Sequence, residues 1–295
     1  DLFRMISNPI GTNQSHHTLK AGTFVRNYVE ALFSSTSATQ ANAIDATACA
    51  GATITMTGND VYAGTSSNAT PLRAVGFGYQ RGALVLDSNR MCAQGRTTAG
   101  GQAFALNGFG TDSADAGSLL LRNNLLETAV AGGSVVRVQG ATGSVDFATI
   151  MTNNTLLGFE SGITGAGATG TGKIRWKLTN NVTFNLATTG LGVSLGSGAG
   201  LALDTAENNL TFGFMNNGFS PAPTVGLNND TTSNPAASAV FQNHATGDFR
   251  IVVNGKADEL GKNVYGATIY GNVTTDITQA PRPTTGNWDR GAYKN

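Results

Sequence analysis

The sequence predicts an all-β chain: a right-handed parallel β-helix with three strands per rung and roughly nine to eleven rungs, from dividing its length by a repeat near 30. Three observations carry this expectation. Asparagine corners recur at near-constant intervals, an apolar residue stands at a fixed place ahead of each corner, and the linking segments are rich in Gly, Thr, Ser and Asn. The clearest copies are Leu121-Arg122-Asn123-Asn124, Met151-Thr152-Asn153-Asn154 and Leu178-Thr179-Asn180-Asn181. Met56-Thr57-Gly58-Asn59 and Leu86-Asp87-Ser88-Asn89 are weaker ones.

Taken in order, the first corner candidate is Met5-Ile6-Ser7-Asn8 and the next is Phe24-Val25-Arg26-Asn27. The stretch from Phe24 to Phe33 also fits an amphipathic helix, because Phe24, Tyr28, Val29, Leu32 and Phe33 approximate helical spacing. Ser34 to Ala50 reads as a loop. From Asn59 the last asparagines of successive corners are Asn89, Asn124, Asn154, Asn181 and Asn209, at intervals of 30, 35, 30, 27 and 28 residues. Three residues before each corner stand Met56, Leu86, Leu121, Met151, Leu178 and Ala206; five before stand Ile54, Leu84, Leu119, Thr149 and Trp176. Alternation by two is the strand period, so these positions predict apolar stacks inside the coil. A bend asks for positive φ, which Asn tolerates better than other side chains. Stacked corner amides also predict a ladder through Asn59, Asn89, Asn124, Asn154, Asn181 and Asn209. After the corner the phase is less regular. Val61, Met91 and Leu126 lie two residues on, whereas Val182, Phe184, Leu210 and Phe212 lie one or three on, which predicts a one-residue slip. Phe184, Phe212 and Phe214 are expected as core stacks. Third strands are expected at Ala103–Leu106, Ser134–Val138 and Leu191–Leu195.

One domain is expected over 1–295. It divides into N-terminal rungs or a cap at 1–50, regular rungs at 51–215, a proline-punctuated surface excursion at 216–237, and C-terminal rungs and a cap at 238–295.

Net charge is zero and charged residues are 12%. That argues against nucleic acid, whose phosphates require clustered Lys and Arg. No run of about 18 apolar residues occurs, so no membrane span is expected. The start at Asp1-Leu2-Phe3-Arg4 lacks an initiator Met and a charged-then-apolar leader, and reads as processed or trimmed. Low Lys content and seven sequons, at Asn13, Asn68, Asn153, Asn181, Asn209, Asn229 and Asn272, suit an extracellular or cell-surface location. Cys49 and Cys92 fall at different phases from their corners, so a disulfide between them and two buried thiols stand as alternatives.

The tail carries Thr246-Gly247-Asp248-Phe249-Arg250-Ile251, then Gly255 to Gly261, then Asp276-Ile277 with Pro281-Arg282-Pro283, and Asp289-Arg290-Gly291-Ala292-Tyr293. This resembles the C-terminal end of bacterial secreted right-handed parallel β-helix proteins of the choice-of-anchor surface group. The resemblance covers about the last 50 residues directly. It implies a β-helix and secretion.

Catalytic signatures are sparse. β-Helix lyases and hydrolases need converging carboxylates, or a Ca²⁺ cluster with a basic residue. The 18 acidic residues scatter: Asp112 and Asp115 share a turn, and Asp60 and Asp87 flank successive corners without stacking. His16-His17 and His244 lack metal-binding partners, and no zinc spacing or nucleophile elbow appears. No catalytic, cofactor or metal site is therefore expected. The expected role is a non-enzymatic structural subunit whose coil ends pair with other copies, with Pro281, Pro283, Trp288 and Tyr293 as cap or contact surface. A β-helix polysaccharide lyase or hydrolase and a carbohydrate-binding adhesin or tailspike are the alternatives.

Overall fold

A computed structural model describes residues 2–7, 17–19, 22–33, 41–48, 51–65, 72–80, 82–94, 102–109, 117–128, 133–140, 146–158, 160–166, 172–185, 190–196 and 200–294. Asn8, His16, Cys49, Asp112, Asp115 and the sequons at Asn13 and Asn68 lie outside them. The chain is an all-β parallel solenoid built of three sheets with eight strands each, and neighbours within a sheet are three apart in chain order.

The pre-corner sheet runs from Gly22–Val25 through Thr53–Thr57, Ala83–Asp87, Ser118–Arg122, Phe147–Thr152, Ile174–Thr179 and Leu201–Glu207 to Val225–Leu227. The post-corner sheet begins with Leu2–Ser7 and Tyr28–Phe33 and ends with Val182–Asn185 and Leu210–Phe212. The third sheet contains Ser134–Gln139, Ser161–Ala166 and Leu191–Ser194 and ends at Asn216–Ser220. Phe24 to Phe33 is therefore two strands around a bend at Arg26 and Asn27, not a helix. Leu2–Ser7 pairs with Tyr28–Phe33, so Met5 stands after a corner in the register, not before one.

The two inward stacks are continuous. Ile54, Leu84, Leu119, Thr149 and Trp176 are partners in register, as are Met56, Leu86, Leu121, Met151, Leu178 and Ala206, and all are sealed from solvent. Beyond the corner no slip occurs. Val61, Met91, Leu126, Leu156, Thr183 and Thr211 hold one register, each two residues after its corner asparagine. Val182, Phe184, Leu210 and Phe212 point to the outer face of the sheet instead. The apparent phase change is a strand covered on both faces, whose residues are apolar or small throughout.

The cover is the C-terminal segment. The chain leaves the coil near Asn228 and runs back along its outside. Val240, Phe241, Phe249, Ile251 and Ala257 pack on Leu125, Leu157, Val182, Phe184, Leu210 and Phe212. Phe184 and Phe212 stack at 4.6 Å, and Phe241 lies 6.1 and 6.2 Å from them. Two expectations change accordingly. Residues 216–237 contain the last strands of two sheets, Asn216–Ser220 and Val225–Leu227, rather than a plain excursion. The described residues of 238–294 form no rungs: their one strand pair, Phe241–Asn243 with Asp248–Ile251, is antiparallel. Length therefore overstates the coil, and eight strands per sheet span roughly 34 Å at ~4.8 Å each.

Candidate functional site

The corner asparagines form a ladder. Each donates from its backbone N–H and its Nδ2 to the Oδ1 of the asparagine in the following strand layer. The links run Asn27 to Asn59, Asn89, Asn124, Asn154, Asn181, Asn209 and Asn229, at 2.8–3.1 Å. The second Nδ2 proton goes to a backbone carbonyl of the layer before, as from Asn124 to Leu86 at 2.9 Å and Asn154 to Leu121 at 2.9 Å. The ladder thus extends one asparagine beyond the expected series at each end.

The positive φ belongs to the residue before each ladder asparagine: Arg26, Gly58, Ser88, Asn123, Asn153, Asn180, Asn208 and Asn228, at 52–64°. The two asparagines of a pair therefore divide the work. One takes the left-handed bend and the other builds the ladder. The bend residues also face outward and grip the C-terminal segment. Asn180 exchanges two hydrogen bonds with the backbone of Lys262, donating from Nδ2 to its carbonyl and accepting from its N–H, both at 2.7 Å. Asn208 Nδ2 donates to the Leu260 carbonyl at 2.9 Å, and Asn153 Nδ2 to that of Asp289 at 3.2 Å. Gly291 packs so closely that a Cβ there would sit 2.7 Å from Thr155 Oγ1, and its φ of 87° also demands glycine. Pro283, Trp288 and Tyr293 therefore belong to a lateral cover rather than an end cap. Trp288 is buried and donates from Nε1 to the Pro283 carbonyl at 2.8 Å, while the Arg282 guanidinium lies 5.1 Å over its ring. Arg282 donates to the carbonyls of Thr275, Gly291 and Ala292, and burial pulls its pKa down to about 10.

The cover also settles the sequons. Asn153, Asn181 and Asn209 are buried in the corner and hydrogen-bonded, and Asn229 is the last ladder member. Of the described sequons, Asn272 alone is solvent-exposed with its side chain outside the ladder.

Among the described residues nothing comparable closes the sheets at the far end of the coil. Residues Asp230 and Asn234 cross the strand Leu210–Phe212, through Asp230 O to the Thr211 N–H at 3.0 Å and Asn234 Oδ1 to the Gly213 N–H at 2.8 Å, and Asn234 Oδ1 also accepts from Asn217 Nδ2 at 3.4 Å. Among the described residues no strand pairs with the outer edges of Asn216–Ser220 and Val225–Leu227. Every residue of Val225–Leu227 is exposed, and Met215 is 78% exposed. Leu227 and Leu260, both exposed, flank Asn208, which bonds to the backbone of each.

A polar patch occupies the outer face of the post-corner sheet, and the C-terminal segment approaches it at Gly247, beside Arg90. Asp60 and Arg90 are register partners, and Cys92 lies between Tyr62 and Glu127. Burial raises the carboxyls of Glu127 and Asp60 above their usual values, with Arg90 opposing both. Cys92 is a free, half-buried thiol pushed to about 12, chiefly by burial and then by Glu127. Sequence reasoning missed Arg90 and Glu127 here. Their signal is position, one and three residues after a ladder asparagine, the same outward places that Asp60 and Tyr62 hold. Asp60 and Asp87 lie on different sheets. Among the described residues no three His, Cys, Asp or Glu side chains gather as a metal site, and no helix is long and apolar enough to cross a membrane.

No protein-family model matches this chain, nor does any curated protein or solved structure.

Proposed function

We propose that this chain is an extracellular structural protein, a surface or filament subunit that assembles head to tail through the ends of its coil. In this reading the coil is right-handed with three strands per rung, the sense that parallel crossovers overwhelmingly take. The observation that carries the proposal is the uncovered far end. After Leu227 the chain turns back along the side and leaves an unpaired edge with exposed Met215, Val225 and Leu227. Such an edge is a template for another strand. Zero net charge adds little repulsion between copies. Identical ends joined head to tail make an open fibre. The low Lys content and the exposed sequon at Asn272 support an extracellular setting.

Electron microscopy of the purified chain over a range of concentrations tests this. Rods with an axial repeat of roughly 38 Å, eight strand spacings of ~4.8 Å, are expected. A Val225→Asp, Leu227→Asp variant should shorten or abolish them. Monodisperse monomers at every concentration would sink the idea.

A second reading, a glycan-active enzyme, is favoured by Asp60, Arg90 and Glu127 on one outer face. It is weakened by distance. Two strand spacings and two residues put the Cα atoms of Asp60 and Glu127 roughly 12 Å apart, so their side chains must lean toward each other to bring the carboxyl groups within the 5–9.5 Å usual for a catalytic pair. Turnover of polyuronates or other glycans that is lost in Glu127→Gln would establish it over the structural reading.

A further inference from the structure

A groove of about 290 Å³ opens on the third sheet, where Ser161–Ala166 passes Ser134–Gln139. Its side chains are Ser134, Arg137, Glu160, Ser161 and Thr164, and the backbone of Gly165 completes one wall. It lies apart from the corner, the C-terminal cover and the coil end. We infer that this groove binds a small zwitterion of the α-amino acid class, with Arg137 taking the carboxylate and Glu160 the ammonium.

Four features lead there. Arg137 and Glu160 form no ion pair or side-chain hydrogen bond among the described residues, although both line the groove. A ligand with one charge would satisfy one of them and meet the other as a repulsion, whereas a ligand carrying both charges satisfies both. The planar guanidinium suits a carboxylate held through two parallel hydrogen bonds. The floor is organised before any ligand arrives. Thr164 Oγ1 and Ser134 Oγ share a hydroxyl–hydroxyl hydrogen bond at 2.7 Å, and Thr164 Oγ1 also reaches the Val136 carbonyl at 3.5 Å. The backbone that presents Glu160 is also held in place, because Asn185 Nδ2 donates to its carbonyl at 3.2 Å and Gly190 packs against that oxygen too tightly for any Cβ.

Size and lining narrow the class. The volume falls at the lower edge of the ~300–1,000 Å³ typical of small-molecule pockets, so it suits one small molecule rather than a polymer segment. Among the described residues no aromatic ring lines it, so they offer no flat apolar platform for a sugar ring.

The intact chain is titrated with L-alanine by calorimetry and by NMR, in parallel with sodium acetate and methylammonium chloride. L-Alanine is expected to bind at least about tenfold more tightly than either single-charge fragment. Arg137→Gln and Glu160→Gln, both at solvent-reaching positions, are each expected to weaken it about tenfold or more with an unchanged circular dichroism spectrum. Thr164→Val, which removes the hydroxyl link in the floor, should weaken it less. Absence of L-alanine binding at about 20 mM overturns the inference. So does acetate binding as tightly as L-alanine, or binding that survives both charge-removing substitutions. None of these outcomes depends on whether the coil ends assemble.

Discussion

Two adjacent asparagines of identical chemistry should respond to substitution very unequally. Asn124 Oδ1 accepts from the Asn89 backbone N–H at 2.9 Å and from Asn89 Nδ2 at 3.1 Å, while Asn124 Nδ2 donates to the Leu86 carbonyl at 2.9 Å. Asn124→Ala deprives those three groups of their partners. Asn89 and Asn124 are both fully sealed, so water does not readily replace them. An unsatisfied buried polar group costs about 1–3 kcal/mol, which puts the loss at about 3–9 kcal/mol. The small cavity gives room for some relaxation, so the lower figure is the firm expectation. Asn123, one residue earlier, has φ of 54°, donates one 3.2 Å hydrogen bond to Asp87, and leaves its own Oδ1 without a partner. Asn123→Gly loses that bond but releases about 1 kcal/mol of left-handed strain, so it should fall within about 1 kcal/mol of wild type. Urea titrations followed by circular dichroism compare the midpoints. Hydrogen exchange of the amides around Leu121 and Met151 checks that the loss is local, since stacked repeats can open piecewise. Equal effects of the two substitutions, or an Asn124→Ala change under about 1 kcal/mol, would refute the division of labour at the corner.

The cover and the polar patch give three further outcomes. Phe241→Ala removes the ring against Phe184, Phe212 and Phe249 and should cost about 3–5 kcal/mol. It should also speed proteolytic nicking between residues 237 and 260, and unchanged nicking would contradict the packing. Glu127 titrates higher folded than unfolded, so the folded state binds the extra proton. Stability is therefore lost as pH rises from the ordinary glutamate range to the folded value, and Glu127→Gln should melt above wild type at pH 7 while the gap closes toward pH 4. A gap that widens on acidification would show the opposite sign. Cys92, with its thiol near 12, should be alkylated by iodoacetamide at pH 8 about a hundredfold or more slower in the folded chain than in urea, as read by mass spectrometry of its peptide.

Much of the coil was legible because one constraint repeats. Each corner needs an inward apolar residue three places ahead and a ladder asparagine behind it, so Leu86, Leu121, Met151 and Leu178 announce their register without any long-range information. The facing of the strands beyond the corner was not legible, for a physical reason. Val182 and Phe184 face outward, and an outward Phe makes sense only once a second layer lies over it. That layer comes from residues about 60 positions later, whose own pattern contains no rung repeat. The polar patch was hidden in the same way: Arg90 and Glu127 are 37 residues apart in sequence yet lie on adjacent strands. Local periodicity reports contacts one layer away and is silent about contacts made by a segment that folds back along the axis.

The ladder has a direction, and this bears on how copies could join. From Asn59 to Asn209 each member donates its backbone N–H to the asparagine oxygen of the later strand layer, and its own oxygen accepts from the earlier member. At Asn229 the series stops. Its backbone N–H meets no acceptor among the described residues, and its Nδ2 uses one proton on the Ala206 carbonyl at 2.6 Å, leaving the other free. The far end of the coil is thus a donor end. Two such ends brought face to face would set donor against donor at the corner. An asparagine oxygen from the first layer of another copy would accept both protons and extend the parallel sheets in register. In the proposed assembly the same hydrogen-bond polarity favours head-to-tail over tail-to-tail contact, and Asn229→Asp, which replaces the Nδ2 donor by a second acceptor and gives up its bond to the Ala206 carbonyl, should shorten any rods seen by microscopy.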